Sequence, residues 1–274
     1  MAKLKVLELF GGLGACSNAL RNIGVDYELV DYVDFDPFVV KSFNAIYGTN
    51  FNWTDIINWD KDIEVDFIMH GSPCQDFSLA GKQAGGDEGS GTRSSLMYET
   101  IRIIKKLKPK YVVWENVKNL LSKKHRHNFD KYIETLNELG YKSFYKVLDA
   151  VDYGIPQTRQ RVFTVSILNY DGEFEWPKTI PLKKEVKDFL EENPDRKLFL
   201  SDEMIKYITA DNEKWTGNNK ESIINKKIAS TINTAEGNRR CEASNYISCK
   251  LGGGYNLKPL VRDIIHRNTS KNDN

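Results

Sequence analysis

The sequence predicts an α/β fold with a doubly wound, mainly parallel sheet and a smaller C-terminal region. Short apolar strand segments alternate with helical segments up to about residue 168, the order typical of a sheet covered by helices on both faces. After about residue 170 apolar residues become sparse while Asn and Lys become frequent. We therefore predict a boundary between a first domain, residues 1–170, and a second region, residues 171–274.

The predicted elements follow one another in a regular order. The strand segments are "LKVLELF", "YELVDYVDFD", "VDFIMH", "KYVVWEN", "YKSFYKVLDA" and "QRVFTVSIL". The helical segments are "CSNALRNIG", residues 37–47, residues 94–107 and "FDKYIETLNELG". Only a short segment, "VDYGIPQTR", joins the last two strands, which predicts an antiparallel pair at one edge of the sheet.

Composition excludes several classes of protein. The chain has 274 residues, is 40% hydrophobic and contains no uncharged apolar stretch near the roughly 20 residues that a membrane helix needs. Its four cysteines are widely spread, without a CxxC pair or a histidine cluster, so neither a disulfide framework nor a metal site is predicted. These features predict a soluble, cytoplasmic protein without a membrane partner.

Charge is distributed unevenly along the chain, although the net charge is only +1. Residues 1–90 hold 6 Lys/Arg against 14 Asp/Glu, a balance of −8. Residues 217–274 hold 10 against 5, a balance of +5. We therefore expect the C-terminal part to meet any phosphate-rich partner.

A glycine-rich turn, "ELFGGLGAC", joins the first strand to the first helix. Glycines there allow a sharp turn and a close approach of the backbone to a ligand, but Ser17 replaces the last glycine of a dinucleotide fingerprint. Asp34 ends the second strand, where an acidic side chain can bind a ribose hydroxyl. Phe35 could cover an adenine ring, and Asp55 could accept from its amino group. A core aromatic and a helix cap are the alternatives for these two.

Together these residues indicate an adenosine site without a phosphate cradle. S-Adenosyl-L-methionine fits that description better than a nicotinamide dinucleotide does. A nicotinamide-dependent dehydrogenase would be expected to carry a complete glycine fingerprint, which this sequence lacks.

The segment "GSPCQDFSLAGKQAGG" places Cys74 directly after a proline at the end of the third strand. Free cysteines are among the most buried residues, so an inert thiol is one interpretation. The long, polar, glycine-rich segment that follows is instead typical of a closing active-site loop. The residues themselves leave both interpretations open.

Two further strand ends carry polar side chains. Glu115 follows "YVVW" and would point toward Cys74, or it would stabilise a helix start. In "DYGIPQTRQRVF", Gln157, Arg159 and Arg161 alternate with other residues, so a strand would place all three on one face. That face is either solvated surface or the wall of an anion-binding site.

These loops, in this order, resemble the C5-cytosine DNA methyltransferases of bacterial and phage type. The matching segments are "ELFGGLGA", "GSPCQDFSLAGKQ", "ENV" and "DYGIPQTRQRVF". The resemblance covers about residues 4–168 closely. Residues 169–255 are similar, more loosely, to target-recognition regions. The resemblance implies the Rossmann-like fold of S-adenosyl-L-methionine-dependent methyltransferases.

The resemblance also implies roles for individual residues. The Cys74 thiolate would add to C6 of a cytosine flipped out of double-stranded DNA, and Glu115 would hold or protonate N3. Arg161 would help to orient the base at its carbonyl, and Arg159 would support Cys74 or the backbone. The implied cofactor residues are Phe10, Gly12, Leu13, Gly14, Asp34, Phe35, Asp55, Pro73 and Leu96. The implied substrate and lid residues are Gln75, Ser78, Gln83 and Gln157, with residues 78–92 as the closing loop.

The C-terminal segment "LGGGYNLKPLVRDIIHRNTSKNDN" matches neither of the conserved blocks that the family has beyond its recognition region. This departure predicts a truncated enzyme, or the larger piece of a split one that needs a second subunit. A cognate restriction endonuclease is a further expected partner. The alternatives are a tRNA cytosine-5 methyltransferase and an inactive, truncated DNA-binding remnant.

Overall fold

The computed structural model describes residues 2–73, 96–191, 199–203, 205, 225–232, 245–251 and 254–259. The chain forms two compact units. The first comprises Met1–Leu148 and Gln160–Trp176, and the second Asp149–Arg159 and Pro177–Asn274. The predicted division of roles between residues 1–170 and 171–274 stays a prediction.

A six-stranded sheet forms the centre of the first unit, with the strand order β2-β1-β3-β4-β6-β5. Its strands are β1 (Leu4–Leu9), β2 (Tyr27–Val33), β3 (Phe67–His70), β4 (Tyr111–Val117), β5 (Tyr141–Asp149) and β6 (Gln160–Leu168). The strands β2, β1, β3 and β4 are parallel neighbours, whereas β6 runs antiparallel to β4. The carboxyl ends of four parallel strands therefore meet at one edge of the sheet.

Helices cover both faces of this sheet, which confirms the doubly wound α/β fold. They are α1 (Ala15–Asn22), α2 (Pro37–Tyr47), α3 (Met97–Leu107) and α4 (Arg126–Glu138). Leu7 belongs to the large buried core that includes residues of α3 and α4, whereas its neighbour Val6 packs with Cys16 and Leu20 of α1. Successive residues of a strand point to opposite faces, so β1 is buried on both sides.

The strands β5 and β6 form an antiparallel pair at the edge of the sheet, as predicted. The Asn169 amide donates to the Gly140 carbonyl at 3.0 Å, and the hydroxyls of Ser143 and Ser166 lie 2.8 Å apart. As the residue number increases along β5, the partner's number decreases along β6, which defines the antiparallel direction. β6 lies between β5 and β4, so β5 is the edge strand of this pair.

The prediction that Gln157, Arg159 and Arg161 share one strand is wrong, because β6 begins at Gln160. The Thr158 amide donates to the Ala229 carbonyl, and the Arg159 amide donates to Oδ1 of Asp149 at 2.8 Å. These backbone groups are hydrogen-bonded within the second unit rather than to β4. Arg161 alone of the three lies on the strand.

The described parts of the second unit contain short elements. The residue pairs Tyr153–Ile180 and Gln157–Ala229 form isolated parallel bridges, and Val186–Phe189 is a single 3₁₀ turn. The strands β7 (Tyr246–Leu251) and β8 (Gly254–Pro259) pair as an antiparallel hairpin. In neither unit do the described residues include a helix long and apolar enough to cross a membrane.

Candidate active site

The glycine turn after β1 is packed against aromatic side chains of the protein itself. A Cβ on Gly11 would lie 2.2 Å from the ring of Tyr32, and a Cβ on Gly14 would lie 2.5 Å from Tyr47 and 2.7 Å from Phe43. Gly12, by contrast, has open space around it and a φ of +56°. Gly11 and Gly14 are therefore required because a larger residue would overlap these rings. The sequence had suggested only that glycines there allow a sharp turn and access for a ligand.

A buried carboxylate, Glu8, occupies the N-terminus of α1. It accepts hydrogen bonds from the amides of Cys16 (3.1 Å) and Ser17 (3.3 Å) and from the Ser17 hydroxyl (2.7 Å). Burial raises the pKa of Glu8, although these three donors act in the opposite direction. Because the carboxylate uses the amides that would otherwise bind an anion, this helix start does not offer a phosphate site.

The Asp34 carboxylate is held in place by backbone amides at the end of β2. Oδ2 accepts from Gly12 at 3.0 Å and Oδ1 accepts from Asp36 at 3.0 Å. The Asp34 carbonyl in turn accepts from the Thr54 amide at 2.8 Å. A carboxylate has about four acceptor positions, so these two bonds leave capacity for the hydroxyls of a ligand.

A cavity of about 210 Å³ lies beside Asp34. It is lined by Phe10, Val33, Asp34, Phe35, Thr54, Asp55, Ile56, Ile57, Pro73 and Leu96. This lining includes six of the nine residues expected to bind a cofactor and combines apolar walls with two carboxylates. Such a composition fits a nucleoside, which has an apolar ring and polar hydroxyls.

The individual residues of this cavity differ in exposure. Phe35 is 59% exposed, so the alternative of a core aromatic is wrong for this residue. The Asp55 side chain accepts from the Ile57 amide at 3.0 Å and caps a 3₁₀ turn, as its structural alternative predicted. Phe10 has a φ of +53°, a strained conformation of the kind that persists where surrounding structure holds it. Gly12, Leu13 and Gly14 lie in the adjoining turn and are absent from the cavity lining.

Glu115 and Arg161 form an ion pair at the carboxyl end of β4. Arg161 Nε lies 2.9 Å from Glu115 Oε1, and the two side chains are 17% and 28% exposed. The antiparallel register places Arg161 opposite Val117, which brings it level with the end of β4. A Cβ on Gly71 would lie 3.7 Å from Glu115 Oε2, so this carboxylate lies beside the segment that leads to Cys74.

Ser72 links the ends of β3 and β4. Its hydroxyl accepts from Nε1 of Trp114 at 3.0 Å, and its carbonyl accepts from Nδ2 of Asn116 at 3.3 Å. Ser72, Trp114 and Asn116 are all buried. Two residues that flank Glu115 therefore fix the position of Ser72, which is two residues before Cys74.

The structure does not bring every predicted site residue to this edge. Cys74, Gln75, Ser78, Gln83 and the expected closing loop of residues 78–92 lie outside the described residues. Arg159 and Gln157 belong to the second unit, whereas Arg161 and Glu115 belong to the first.

Sequence reasoning missed three residues that shape the site: Glu8, Tyr32 and Ser72. Of these three, only Glu8 could have been noticed in the sequence, because it is an acidic residue inside an apolar strand segment. Metal binding has no support in the ranges that the structure describes, since no three His, Cys, Asp or Glu side chains there are grouped to hold an ion.

The fold is that of S-adenosyl-L-methionine-dependent methyltransferases. It matches Dnmt2 methyltransferase from S. pombe with a TM-score of 0.67 and 18% identity, over 98% of this chain and 81% of that one. It also matches the methyltransferase EhMeth of Entamoeba histolytica with a TM-score of 0.74 and 13% identity, over 98% and 87% of the two chains.

The C-5 cytosine-specific DNA methylase family model matches residues 4–272, so the chain belongs to this family. The chain is 44% identical over 225 residues to type II methyltransferase M2.ScrFI of Lactococcus lactis subsp. cremoris. It is 32% identical over 237 residues to orphan methyltransferase M.SPRI of Bacillus phage SPR. These matches cover 76% and 74% of this chain, but only 62% and 53% of the two relatives.

Proposed function

We propose that the protein transfers a methyl group from S-adenosyl-L-methionine to C5 of a cytosine in a specific sequence of duplex DNA. The ion pair of Glu115 and Arg161 carries this proposal, because Glu115 lies beside Gly71, which precedes Cys74 by three residues in the sequence. Family membership supports the same reaction class.

The cofactor is inferred from what the first unit can bind. Asp34 would accept the ribose hydroxyls, and Phe35 and Leu96 would contact the adenine ring in the cavity. Glu8 occupies the start of α1, so a cofactor with a pyrophosphate would meet a carboxylate there. S-Adenosyl-L-methionine has no phosphate, and when bound it supplies an electrophilic methyl group.

The protein groups would activate the cytosine. C5 of cytosine is a poor nucleophile, so the Cys74 thiolate adds to C6 and makes C5 enamine-like. Glu115 holds or protonates N3, which offsets the charge that develops during this addition. Arg161 orients both Glu115 and the base, and Arg159 supports Cys74. Once C5 has taken the methyl group and S-adenosylhomocysteine has left, loss of the C5 proton, cleavage of the bond from sulfur to C6 and return of the N3 proton to Glu115 restore the aromatic ring and free the Cys74 thiolate.

DNA phosphates would be bound by lysine and arginine residues in two separate parts of the sequence. Residues 116–129 follow Glu115 directly and contain Lys118, Lys123, Lys124 and Arg126 without any Asp or Glu. Lys118 donates to Oε1 of Gln160 at 2.9 Å, which places it at the start of β6 near Arg161. The C-terminal part, with its balance of +5, would supply the remaining contacts and read the sequence.

A covalent trap tests this function most directly. Duplex DNA containing 5-fluorocytosine should form a stable adduct with the wild-type chain in the presence of S-adenosyl-L-methionine, because the fluorine blocks loss of the C5 proton. Cys74→Ala should form none. Transfer of labelled methyl groups to tRNA but not to duplex DNA would replace the DNA proposal with the tRNA alternative. Binding of DNA without any adduct or transfer would indicate an inactive remnant.

The need for a second subunit stays a prediction, as do a cognate restriction endonuclease and a cytoplasmic location. Methyl transfer to duplex DNA by the purified chain alone would contradict the need for a second subunit.

A further inference from the structure

The Gly12 residue of the glycine turn is held from two sides by side chains at the end of β2. The Tyr32 hydroxyl donates to its carbonyl at 2.6 Å, while its own amide donates to Oδ2 of Asp34 at 3.0 Å. Tyr32 and Asp34 are two residues apart, so one short segment of chain fixes both ends of Gly12. The orientation of the turn is thereby tied to the carboxylate proposed to bind the ribose.

A second phenol holds the other end of the same turn. The Tyr47 hydroxyl donates to the Gly14 carbonyl at 2.7 Å. The rings of Tyr32 and Tyr47 both pack on Phe43, with centroid distances of 3.9 Å and 4.5 Å. The three rings form an aromatic wall, Tyr32, Phe43 and Tyr47, whose two hydroxyls bind the carbonyls of Gly12 and Gly14.

The turn requires such support because glycine adopts positive and negative φ angles with similar ease, so the backbone alone does not hold one conformation. Gly12 and Gly14 have positive φ angles, and Phe10, a non-glycine residue with a φ of +53°, has a strained conformation that persists only where neighbouring groups hold it. Burial raises the pKa of both phenols, so each stays protonated and able to donate near neutral pH.

We propose that Tyr32 and Tyr47 are positioning residues that set the affinity for the cofactor by holding the glycine turn in its binding conformation. Neither residue lines the cavity, so both act through Gly12 and Gly14. This inference rests on the proposed function, since it assumes that the cavity beside Asp34 binds S-adenosyl-L-methionine. Loss of the Tyr32 hydroxyl would free the Gly12 peptide to rotate and would weaken the bond from its amide to Asp34.

The test compares three Tyr→Phe variants by isothermal titration with S-adenosyl-L-methionine and S-adenosylhomocysteine. Tyr32→Phe and Tyr47→Phe should each weaken binding about 2- to 12-fold, since each loses one hydrogen bond to the turn. Tyr141→Phe is the matched control. Its hydroxyl also donates to a backbone carbonyl, that of Pro109 at 2.7 Å, and burial likewise raises its pKa.

All three variants should lose similar stability in urea denaturation, so only cofactor affinity distinguishes positioning from a general structural role. In steady-state assays, Tyr32→Phe and Tyr47→Phe should raise KM for the cofactor and leave kcat unchanged. Amide hydrogen exchange of Gly12 in the ligand-free protein should be faster in Tyr32→Phe than in Tyr141→Phe. Because Tyr47 is only partly buried, Tyr47→Phe should fold even if Tyr32→Phe does not, and it then provides the test.

Two outcomes would overturn this inference, and they differ from a failure of the proposed function. If wild type binds the cofactor and the Tyr32 and Tyr47 variants bind it equally tightly, the hydroxyls do not position the turn. If both weaken binding only as much as Tyr141→Phe does, the effect is general destabilisation. If wild type binds neither ligand, the cofactor assignment itself is wrong, and this inference falls with it.

Discussion

Replacing Glu8 with alanine should destabilise the first unit strongly. The side chain is only 3% exposed and accepts from two backbone amides and the Ser17 hydroxyl. Each buried donor left without a partner costs about 1–3 kcal/mol, and water entering the vacated space would satisfy some of them. We therefore expect the free energy of unfolding to fall by about 3–5 kcal/mol, measured by urea denaturation at neutral pH.

Glu8→Gln tests the electrostatic part of the same site. Burial raises the pKa of Glu8 above its ordinary value of 4.5, so the folded protein holds the proton more tightly than the unfolded chain does. The stability from this group is fully present below about pH 4.5 and is lost as pH rises through the folded-state pKa. The unfolding free energy of wild type minus that of Glu8→Gln should therefore decrease from about pH 4 to pH 7.

Ser17→Ala is the control for this pH dependence. The Ser17 hydroxyl lowers the pKa of Glu8, so its removal should raise that pKa further. The unfolding free energy, measured relative to that of Glu8→Gln, should then decrease more with pH in Ser17→Ala than in wild type. A difference between wild type and Glu8→Gln that stays constant with pH, or that increases, would refute the reasoning. It would show that the hydrogen bonds offset or outweigh the cost of burying the charge.

Three other predictions concern Glu115, the buried His70 and the lysine residues. Glu115→Gln should slow methyl transfer by about 100-fold or more without weakening cofactor binding, because the amide cannot give a proton to N3; an unchanged kcat would contradict this. Burial lowers the pKa of His70 to about 3. The unfolding free energy of wild type, relative to that of His70→Phe, should therefore fall by about 1.4 kcal/mol per pH unit as the pH is lowered from about 6.5 to about 3, measured by urea denaturation. Lys123→Ala should reduce the dependence of DNA affinity on salt by about one phosphate contact, while Lys105→Ala on α3 should not; equal salt slopes would rule out that contact.

Much of the fold could be predicted from the sequence because the strands of a doubly wound sheet are short apolar segments bounded by turns. The helix over residues 37–47 matches α2 at both ends, since Asp36 caps it and Gly48 ends it in a left-handed conformation. The segment of Gln157 to Arg161 could not be predicted in the same way. Its alternation suggests a strand, but the backbone partners of Thr158 and Arg159 lie elsewhere in the second unit.

The candidate site shows the same limit. Strand-end positions predicted Asp34 and Phe35, which line the cavity, because ligand-binding residues of such sheets lie at carboxyl ends. The hydrogen bonds of Tyr32 to Gly12 and of Trp114 to Ser72 join residues 20 and 42 positions apart. Local sequence carries no signal for such pairs, and both aromatic residues read simply as core.

The aromatic wall beneath the glycine turn has a consequence for how these sequences vary in evolution. Because a Cβ on Gly11 would overlap the ring of Tyr32, the sizes of these two side chains are coupled. Relatives that carry alanine at the position of Gly11 should carry a smaller residue at the position of Tyr32. The same coupling should join the position of Gly14 to those of Phe43 and Tyr47. Glycine in this turn would then depend on the size of the aromatic residues that pack against it.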